Sequence, residues 1–290
     1  MTQPDAIVFR DIEQLSEMHE VERLQKTVWG VDDLDVLPSL AMRPLVEVGG
    51  ILIGAFDNDR MVGFVFGFPG RHDGEDIIHS DMLAVLSEYR SFGLGFRLKL
   101  AQRERALAMG IKTISWTFDP LRALNASLNF ARLGVFSDRY EIDYYGETSS
   151  VLHRLGTDRL WVTWLLNSER TIERIQTKTH SVSSEADGTR LVRIGDAQEP
   201  VSQDCLEGPQ VLIEIPTALD ELLEQQPGLA TDWRMATREA FTRALKAGYI
   251  VEDFVIDKGA GKGSYVLKLS INYRTGAERP RSIDDSVNRI

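Results

Sequence analysis

The apolar positions along the chain alternate between extended and helical spacing. An extended run at residues 7–10 precedes apolar residues at nearly helical spacing from Ile12 to Val28. Pro38 is placed to begin a second helix, in which Pro44 predicts a kink or an early end. Two apolar runs, GGILIGAF and MVGFVFGFPG, then flank the polar residues DNDR and predict a β-hairpin. The chain therefore begins with a strand, two helices and a hairpin.

The same alternation continues through the middle of the chain. A strand, IIHSDMLAV, leads through a glycine-containing loop into a helix that ends near Gly110. The strand TISWTF, a short helix around ALNASLNFARLG and two β-rich segments follow. Residues 168–188 are rich in Ser, Thr and charge, which is typical of a linker. Further strands and one long helix then predict a second α/β unit, in which GAGKG forms a hairpin tip.

These patterns predict a mixed α/β (α+β) fold in two units. We assign residues 1–167 to the first domain, 168–188 to a linker, 189–272 to a smaller C-terminal α/β domain and 273–290 to a polar tail.

Composition and charge narrow the classes of partner. The 290 residues are 43% hydrophobic and 27% charged, as in globular proteins. The net charge of -11 argues against nucleic acid as the main partner. No apolar run approaches the ~20 residues that span a bilayer, the N-terminus lacks a signal-peptide pattern, and the single Cys205 cannot form an internal disulfide. We therefore expect a cytoplasmic protein with no membrane partner. The five histidines lack the spacing of metal ligands, so no metal is predicted.

The loop RSFGLG, residues 90–95, lies between a predicted strand and a predicted helix. Glycine lets a ligand approach the backbone, and free amides at a helix N-terminus favour phosphate. The loop has neither the Walker spacing nor the third glycine of a dinucleotide fingerprint. By itself the loop fits a structural turn as well as a diphosphate site.

The context of this loop resembles that of a known family. Arg90-Ser91-Phe92-Gly93-Leu94-Gly95, after DMLAVLSEY, resembles the pyrophosphate loop [QR]-x-x-G-x-[GA] of the GNAT superfamily of N-acetyltransferases. The order of elements between Ile7 and Leu166 is similar to that family's order. VWG, DVLP, TFDPL and TDRLWVTW, with IP, WR and AGY nearer the C-terminus, resemble a bacterial GNAT-related group. The resemblance implies a mostly antiparallel sheet flanked by helices, plus a smaller C-terminal α/β unit.

The resemblance also implies acyl-CoA as co-substrate. The backbone of Leu83, Ala84 and Val85 would pair with the pantetheine arm, as an added strand pairs with a sheet edge. The pyrophosphate would lie over Arg90, Ser91, Phe92, Gly93, Leu94 and Gly95. Asn125 matches a family asparagine near the cofactor, although it could instead cap a helix.

Three residues are candidates for the base that the reaction needs, because only a neutral amine can attack a thioester. His79 stands where some family members have a catalytic glutamate, and imidazole has an ordinary pKa of ~6.5. Asp81, predicted on the same strand face, either acts as the base or orients His79. Asp119 is the third candidate. Each has a purely local alternative, which for Asp119 is a turn before Pro120.

The family's tyrosine acid is replaced by Phe130 in this chain. Tyr140, Tyr144 or Tyr145 could take its role, and we choose Tyr144, with packing as the alternative for all three. A thiol with a pKa near ~8.5 also leaves without an acid. Trp161 and Trp164 are interpreted as core residues.

The expected function is N-acylation of a small amine or amino acid, with acetyl-CoA or a larger acyl-CoA such as succinyl-CoA as donor. The alternative is a non-catalytic acyl-CoA-binding or regulatory module, which Phe130 favours. For the C-terminal unit three roles stay open: a cover over the acceptor cleft, a homodimer contact, or a degenerate repeat of the first fold.

Overall fold

The computed structural model of the chain describes residues 7–147, 150–177 and 187–270. The N-terminal half has the strands β1 (Val8–Asp11), β2 (Ile51–Asp57), β3 (Arg60–His72), β4 (Glu75–Val85), β5 (Thr113–Phe118), β6 (Phe136–Glu141) and β7 (Arg159–Leu165). Its helices are α1 (Leu15–Trp29), α2 (Ser39–Glu47), α3 (Leu94–Ala108), α4 (Ala123–Ala126), which continues as a π-helix (Ser127–Leu133), and α5 (Glu169–Gln176). Short 3₁₀ helices cover Asp33–Asp35, Ser87–Phe92 and Val151–His153.

The C-terminal half adds five strands and two helices. They are β8 (Thr189–Ile194), β9 (Pro200–Ser202), β10 (Gln210–Pro216), α6 (Leu219–Gln225), α7 (Pro227–Lys246), β11 (Tyr249–Asp257) and β12 (Lys262–Leu269). As predicted, GAGKG lies at the turn between two antiparallel strands, β11 and β12.

The described strands form one sheet in the order β1-β2-β3-β4-β5-β7-β6-β11-β12-β10-β8-β9. Neighbouring strands are antiparallel except β4 with β5 and β8 with β10. Apolar residues of the inner strands lie in the core, as Ile114, Trp116 and Phe118 do on β5, and β2, β3 and β10 are buried on both faces over most of their length. The predicted mixed, mostly antiparallel fold flanked by helices is confirmed.

The two halves are continuous with each other. Val251 of β11 pairs with Ser137 of β6, so the strands of the two halves belong to one sheet. Helix α7 packs on β6 as well as on β8, β9, β10 and β11. The fully buried ring of Tyr265 lies 5.8 Å from that of Phe130, between centroids. The halves therefore share a core, and their independent folding as two domains stays a prediction.

Helix α2 corrects one expectation about proline. Pro44 lies inside the helix, which nevertheless reaches Glu47, and Val48 N donates to Pro44 O at 3.2 Å. A proline removes one helical hydrogen bond. Helix α2 also packs on α1 and buries Met42 fully, and this packing offsets the missing hydrogen bond. The predicted early end is wrong because tertiary packing outweighs the local preference.

The segment assigned to a linker begins with a packed helix. Ser168 caps α5 by accepting a hydrogen bond from Thr171 N at 3.2 Å, and Thr171 is fully buried. Arg174 of α5 forms an ion pair with Asp253 of β11. A surface helix with a serine cap is also rich in Ser, Thr and charged residues, so the composition alone did not distinguish α5 from a linker. Residues 178–186 and the predicted tail, 273–290, lie outside the described residues.

Candidate functional site

A wedge-shaped opening separates β4 from β5, the two neighbouring parallel strands of the first half. Only Ile78 with Ile114 and His79 with Ser115 pair across them. Beyond those pairs β4 continues to Val85 and pairs only with β3, while β5 pairs only with β7. The backbone groups of Leu83, Ala84 and Val85 on the β5 side therefore have no strand partner. Such an edge can accept an extended ligand by ladder hydrogen bonds.

The glycine loop lies at the end of this opening. Residues 87–92 form a 3₁₀ helix, and Gly93, with φ of +67°, turns the chain into α3. The first four amides of a helix have no intrahelical acceptor. Here Arg97 N is the amide that reaches Gly93 O, at 3.2 Å, and no described side chain accepts from the amides of residues 93–96. These amides and the positive end of the α3 dipole form a potential anion site.

The strand, the loop and the helical segment after β5 converge at Gly95. A Cβ on Gly95 would lie 3.7 Å from Leu83 Cδ2 and 3.8 Å from Leu128 Cδ2, which are ordinary contacts. Asn125 is exposed on the same helical segment as Leu128. Arg122, and not Asn125, occupies the N-cap position of α4, so the capping alternative for Asn125 is wrong. The structure thus brings Leu83 and Gly95 of the predicted cofactor-binding residues together, and places Asn125 on the helical segment beside them.

Sequence reasoning missed one cation beside the loop. The guanidinium carbon of Arg132 lies 4.1 Å from the ring centroid of Phe96, in the first turn of α3. Burial lowers the pKa of Arg132, and among the described residues it forms no ion pair. Its charge is therefore available to a bound anion. The signal in the sequence was weak, because the π-helix (Ser127–Leu133) changes which side chains face α3.

A β-bulge in β4 sets the environment of Asp81. Phe66 of β3 pairs with Met82 and Gly67 pairs with Ser80, which leaves Asp81 without a partner. The Asp81 side chain contacts solvent, but the surrounding protein removes part of its hydration and so raises its pKa. A carboxylate with a raised pKa is a stronger base than an ordinary aspartate.

His79 is packed among aromatic rings. Its ring centroid lies 5.4 Å from that of Phe68 and 5.3 Å from that of Trp161. Burial, followed by the positive charges of Lys99 and His72, lowers the pKa of His79 to about 4. The imidazole is therefore neutral at pH 7 and only weakly basic. Lys99 itself is buried on α3 and donates to Ser80 Oγ at 2.7 Å.

Trp161 connects His79 with Tyr144. Trp161 is only partly buried, so its interpretation as a core residue is not confirmed. Trp164 is fully buried, which confirms that interpretation for Trp164. The rings of Trp161 and Tyr144 lie 6.5 Å apart, between centroids. Burial and the neighbouring Tyr145 raise the pKa of the half-exposed Tyr144, and the charge of Asp81 contributes to that shift. We call His79, Asp81, Tyr144 and Trp161 the acceptor-side cluster, because their rings and charges lie near one another and none of them belongs to the glycine loop.

Comparison with known proteins identifies the domain that carries this opening. Residues 15–135 match the profile of the acetyltransferase (GNAT) family. Residues 15–135 of this chain are therefore similar to the GNAT family. The matched range contains β4, the glycine loop, α3, β5 and the helical segment through Arg132. A search of curated proteins found no match.

Solved acetyltransferase structures are similar to somewhat more than half of this chain, at low sequence identity. The ribosomal-protein-S18-alanine N-acetyltransferase of Escherichia coli is 13% identical, with a TM-score of 0.45, over 56% of this chain and 96% of its own. The Salmonella typhimurium protein yncA, solved with acetyl-CoA, is 13% identical, with a TM-score of 0.45, over 57% and 96%. A GNAT-family acetyltransferase of Streptococcus pneumoniae is 16% identical, with a TM-score of 0.43, over 55% and 98%.

Asp119 lies at the end of β5 and is held by two donors. Its Oδ1 accepts from Leu121 N at 3.0 Å and from Arg234 Nη2 of α7 at 2.7 Å. The Arg234 side chain is 3% exposed, so its charge depends on this partner. The contacts favour the turn and an ion pair between the two halves over a role for Asp119 as base in the GNAT domain.

Phe130 supplies no proton from the position of the family's tyrosine. Its ring is fully buried between Phe118, at 6.2 Å, and Tyr265, at 5.8 Å, measured between centroids. Tyr140 donates its hydroxyl proton to Asp158 Oδ2 at 2.7 Å, and burial raises its pKa far above the ordinary value. Tyr144 and Tyr145 are the exposed tyrosines of the GNAT half's last connection.

Proposed function

We propose that the chain is an acyl-CoA-dependent N-acyltransferase that acts on a small amine. The observation that carries the proposal is the wedge beside Leu83, Ala84 and Val85, which ends at the free amides of residues 93–96. The wedge matches an extended thioester arm, and the amides and Arg132 match its diphosphate. Family membership supports acyl transfer, and acetyl-CoA and succinyl-CoA are the donors we would test first.

In the proposed reaction the neutral amine nitrogen attacks the thioester carbon. The C–N bond forms, the C–S bond breaks, and the nitrogen loses a proton while the sulfur gains one. Asp81 is our choice for the base, directly or through water, because its pKa is raised while that of His79 falls to about 4. His79 then shapes the acceptor side through its ring contacts. Tyr144 is the proposed acid, since its raised pKa keeps it protonated at neutral pH.

Phe130 supports a second candidate, a non-catalytic acyl-CoA-binding or regulatory module. A buried phenyl ring at this position can pack the core beside a bound coenzyme, but it cannot protonate a thiolate. In that case Tyr144 and Asp81 would serve no chemical step.

Thiol release separates the two candidates. The protein would be incubated with acetyl-CoA or succinyl-CoA and a panel of small amines and amino acids, and free thiol followed with time. The enzyme proposal predicts release above background with at least one amine. Calorimetric binding of coenzyme A without release across the panel would favour the binding module, and absence of coenzyme A binding would reject both.

A further inference from the structure

Helix α7 of the C-terminal half is attached to the connection between β6 and β7. The described parts of this connection, residues 142–147 and 150–158, include Tyr144 of the acceptor-side cluster. Tyr140, in β6 just before the connection, stacks on Phe241 of α7 with a centroid distance of 5.4 Å and an interplanar angle of 19°. The C-terminal half therefore contacts the strand that leads into the connection with the proposed acid.

The strongest contact is a buried carboxylate at the end of the connection. Asp158 is 0% exposed, and Arg238 of α7 binds it with two hydrogen bonds, Nη2 to Oδ1 at 2.7 Å and Nε to Oδ2 at 2.8 Å. Burial by itself raises the pKa of Asp158, but hydrogen bonds from Arg238 and Tyr140 outweigh it, so that the pKa is lowered. A bidentate guanidinium fixes the carboxylate in orientation as well as charge.

The fixed carboxylate in turn holds the backbone around Tyr144. Asp143 N donates to Asp158 Oδ1 at 3.1 Å, and Asp143 adopts a left-handed conformation with φ of +48°. Arg238 also reaches Asp143 Oδ1 at 3.1 Å. The amides of Tyr144 and Tyr145 donate to Thr157, at 3.1 Å to its carbonyl and 3.2 Å to its hydroxyl. An unfavourable backbone conformation such as that of Asp143 persists only where neighbouring contacts fix it.

We propose that Arg238 is a positioning residue, which acts through Asp158 and Asp143 to hold Tyr144 beside Asp81 and Trp161. The C-terminal half thus completes the acceptor side of a site whose coenzyme side lies wholly in the GNAT domain. The catalytic consequence of this inference rests on the proposed function, whereas the contacts of Arg238 with Asp158 and Asp143 do not depend on it. Exchanging Arg238 should disturb residues 143–145 and leave coenzyme binding unchanged.

The test is a double-mutant cycle on the full chain. Arg238→Met and Tyr144→Phe should each lower kcat/KM for the amine by about tenfold or more, and the double variant should be little worse than either single variant, because coupled residues lose additivity. Arg238→Lys, which keeps the charge but lacks the fork, should recover part of the loss. Arg243→Met is the matched control, since this α7 arginine pairs with the exposed Asp204 and should leave kcat/KM unchanged.

Hydrogen exchange provides a readout that needs no turnover. The amides of residues 143–145 should exchange at least about tenfold faster in Arg238→Met than in the wild type, while β4 and α3 stay protected and coenzyme A binds normally. Multiplicative losses in the cycle, wild-type turnover of Tyr144→Phe, or unchanged exchange at residues 143–145 would each overturn the inference. A wild-type chain without any thiol release would reject the proposed function, and exchange would still decide the role of Arg238.

Discussion

The two sides of the wedge between β4 and β5 are built in different ways. The proposed coenzyme side consists mainly of one continuous stretch, residues 82–106, in which a strand, a loop and a helix offer backbone groups, and Arg132 is added from the helical segment after β5. The acceptor side combines side chains of β4 and β7 with a connection that α7 holds from the other half of the chain. Backbone recognition depends on local conformation and tolerates many side chains, whereas side-chain recognition depends on tertiary contacts. The coenzyme side should therefore fail only when its amides are blocked, and the acceptor side when single side chains change.

Blocking the amides should have the largest effect. Gly95→Asp places a carboxylate where the diphosphate must bind, and we expect loss of coenzyme A affinity by about 100-fold or more in calorimetric titration. An acid in the first turn of a helix is favourable for folding, so the variant should remain folded. Gly95→Ala is the matched control, because its Cβ meets only ordinary contacts, at 3.7 Å and 3.8 Å. Near wild-type affinity of Gly95→Asp would contradict the placement of the diphosphate.

Removal of the proposed base should affect turnover and leave the coenzyme side intact. Asp81→Asn is expected to lower kcat/KM by about 10²–10⁴ without changing coenzyme A affinity. In the wild type, activity should fall as the pH drops through the pKa of Asp81, which partial loss of hydration raises above its ordinary 3.8. That acidic limb should disappear in Asp81→Asn. Asp76→Asn, an exposed aspartate on the same strand, is the control, and an equal loss there would remove Asp81 from the chemistry.

The packing of His79 should appear in the pH dependence of stability. Unfolded imidazole binds a proton below about pH 6.5, whereas folded His79 binds one only near its pKa of about 4. Stability is therefore lost as the pH falls between these values, by about 3 kcal/mol of unfolding free energy at pH 4. Between pH 7 and pH 4, the free energy of unfolding measured in urea should fall by about 3 kcal/mol less in His79→Phe than in the wild type. Equal losses in His79→Phe and the wild type would show that His79 is not buried in neutral form.

The smallest expected effect concerns the side chain that assists the backbone. Arg132→Gln should weaken coenzyme A binding by about tenfold, and the remaining affinity should depend less on salt concentration. Arg105→Gln, in the last turn of α3, is the control for loss of a positive charge from the chain. Binding of Arg132→Gln that equals wild type at low salt would show that Arg132 only packs on Phe96.

The sequence predicted the coenzyme side because its determinants are local. Glycines, a strand and a helix start are visible in consecutive residues, so Gly93 and Gly95 could be identified before any contact was known. The acceptor side could be predicted only in part. His79 and Asp81 were found, but the bulge and the aromatic neighbours that separate their pKa values depend on β3 and β7.

Contacts between distant segments account for what the sequence did not predict. Arg238 binds Asp158 across 80 positions, and Arg234 binds Asp119 across 115. No periodicity or spacing indicates such pairs. The same limit applies to α5, whose composition matches that of a linker although its arginines reach β11.

The central claim is that free amides at the start of α3 bind the diphosphate of coenzyme A, and labelled glycine amides test it most directly. In protein labelled with ¹⁵N-glycine, the signal missing from Gly95→Ala assigns Gly95, and a Gly93→Ala variant assigns Gly93. On addition of coenzyme A these two signals should shift more than those of Gly188 and Gly208, which lie beside β8 and β10 at the other end of the sheet. Saturable coenzyme A binding that leaves both signals unmoved, or no binding at all, would contradict the account.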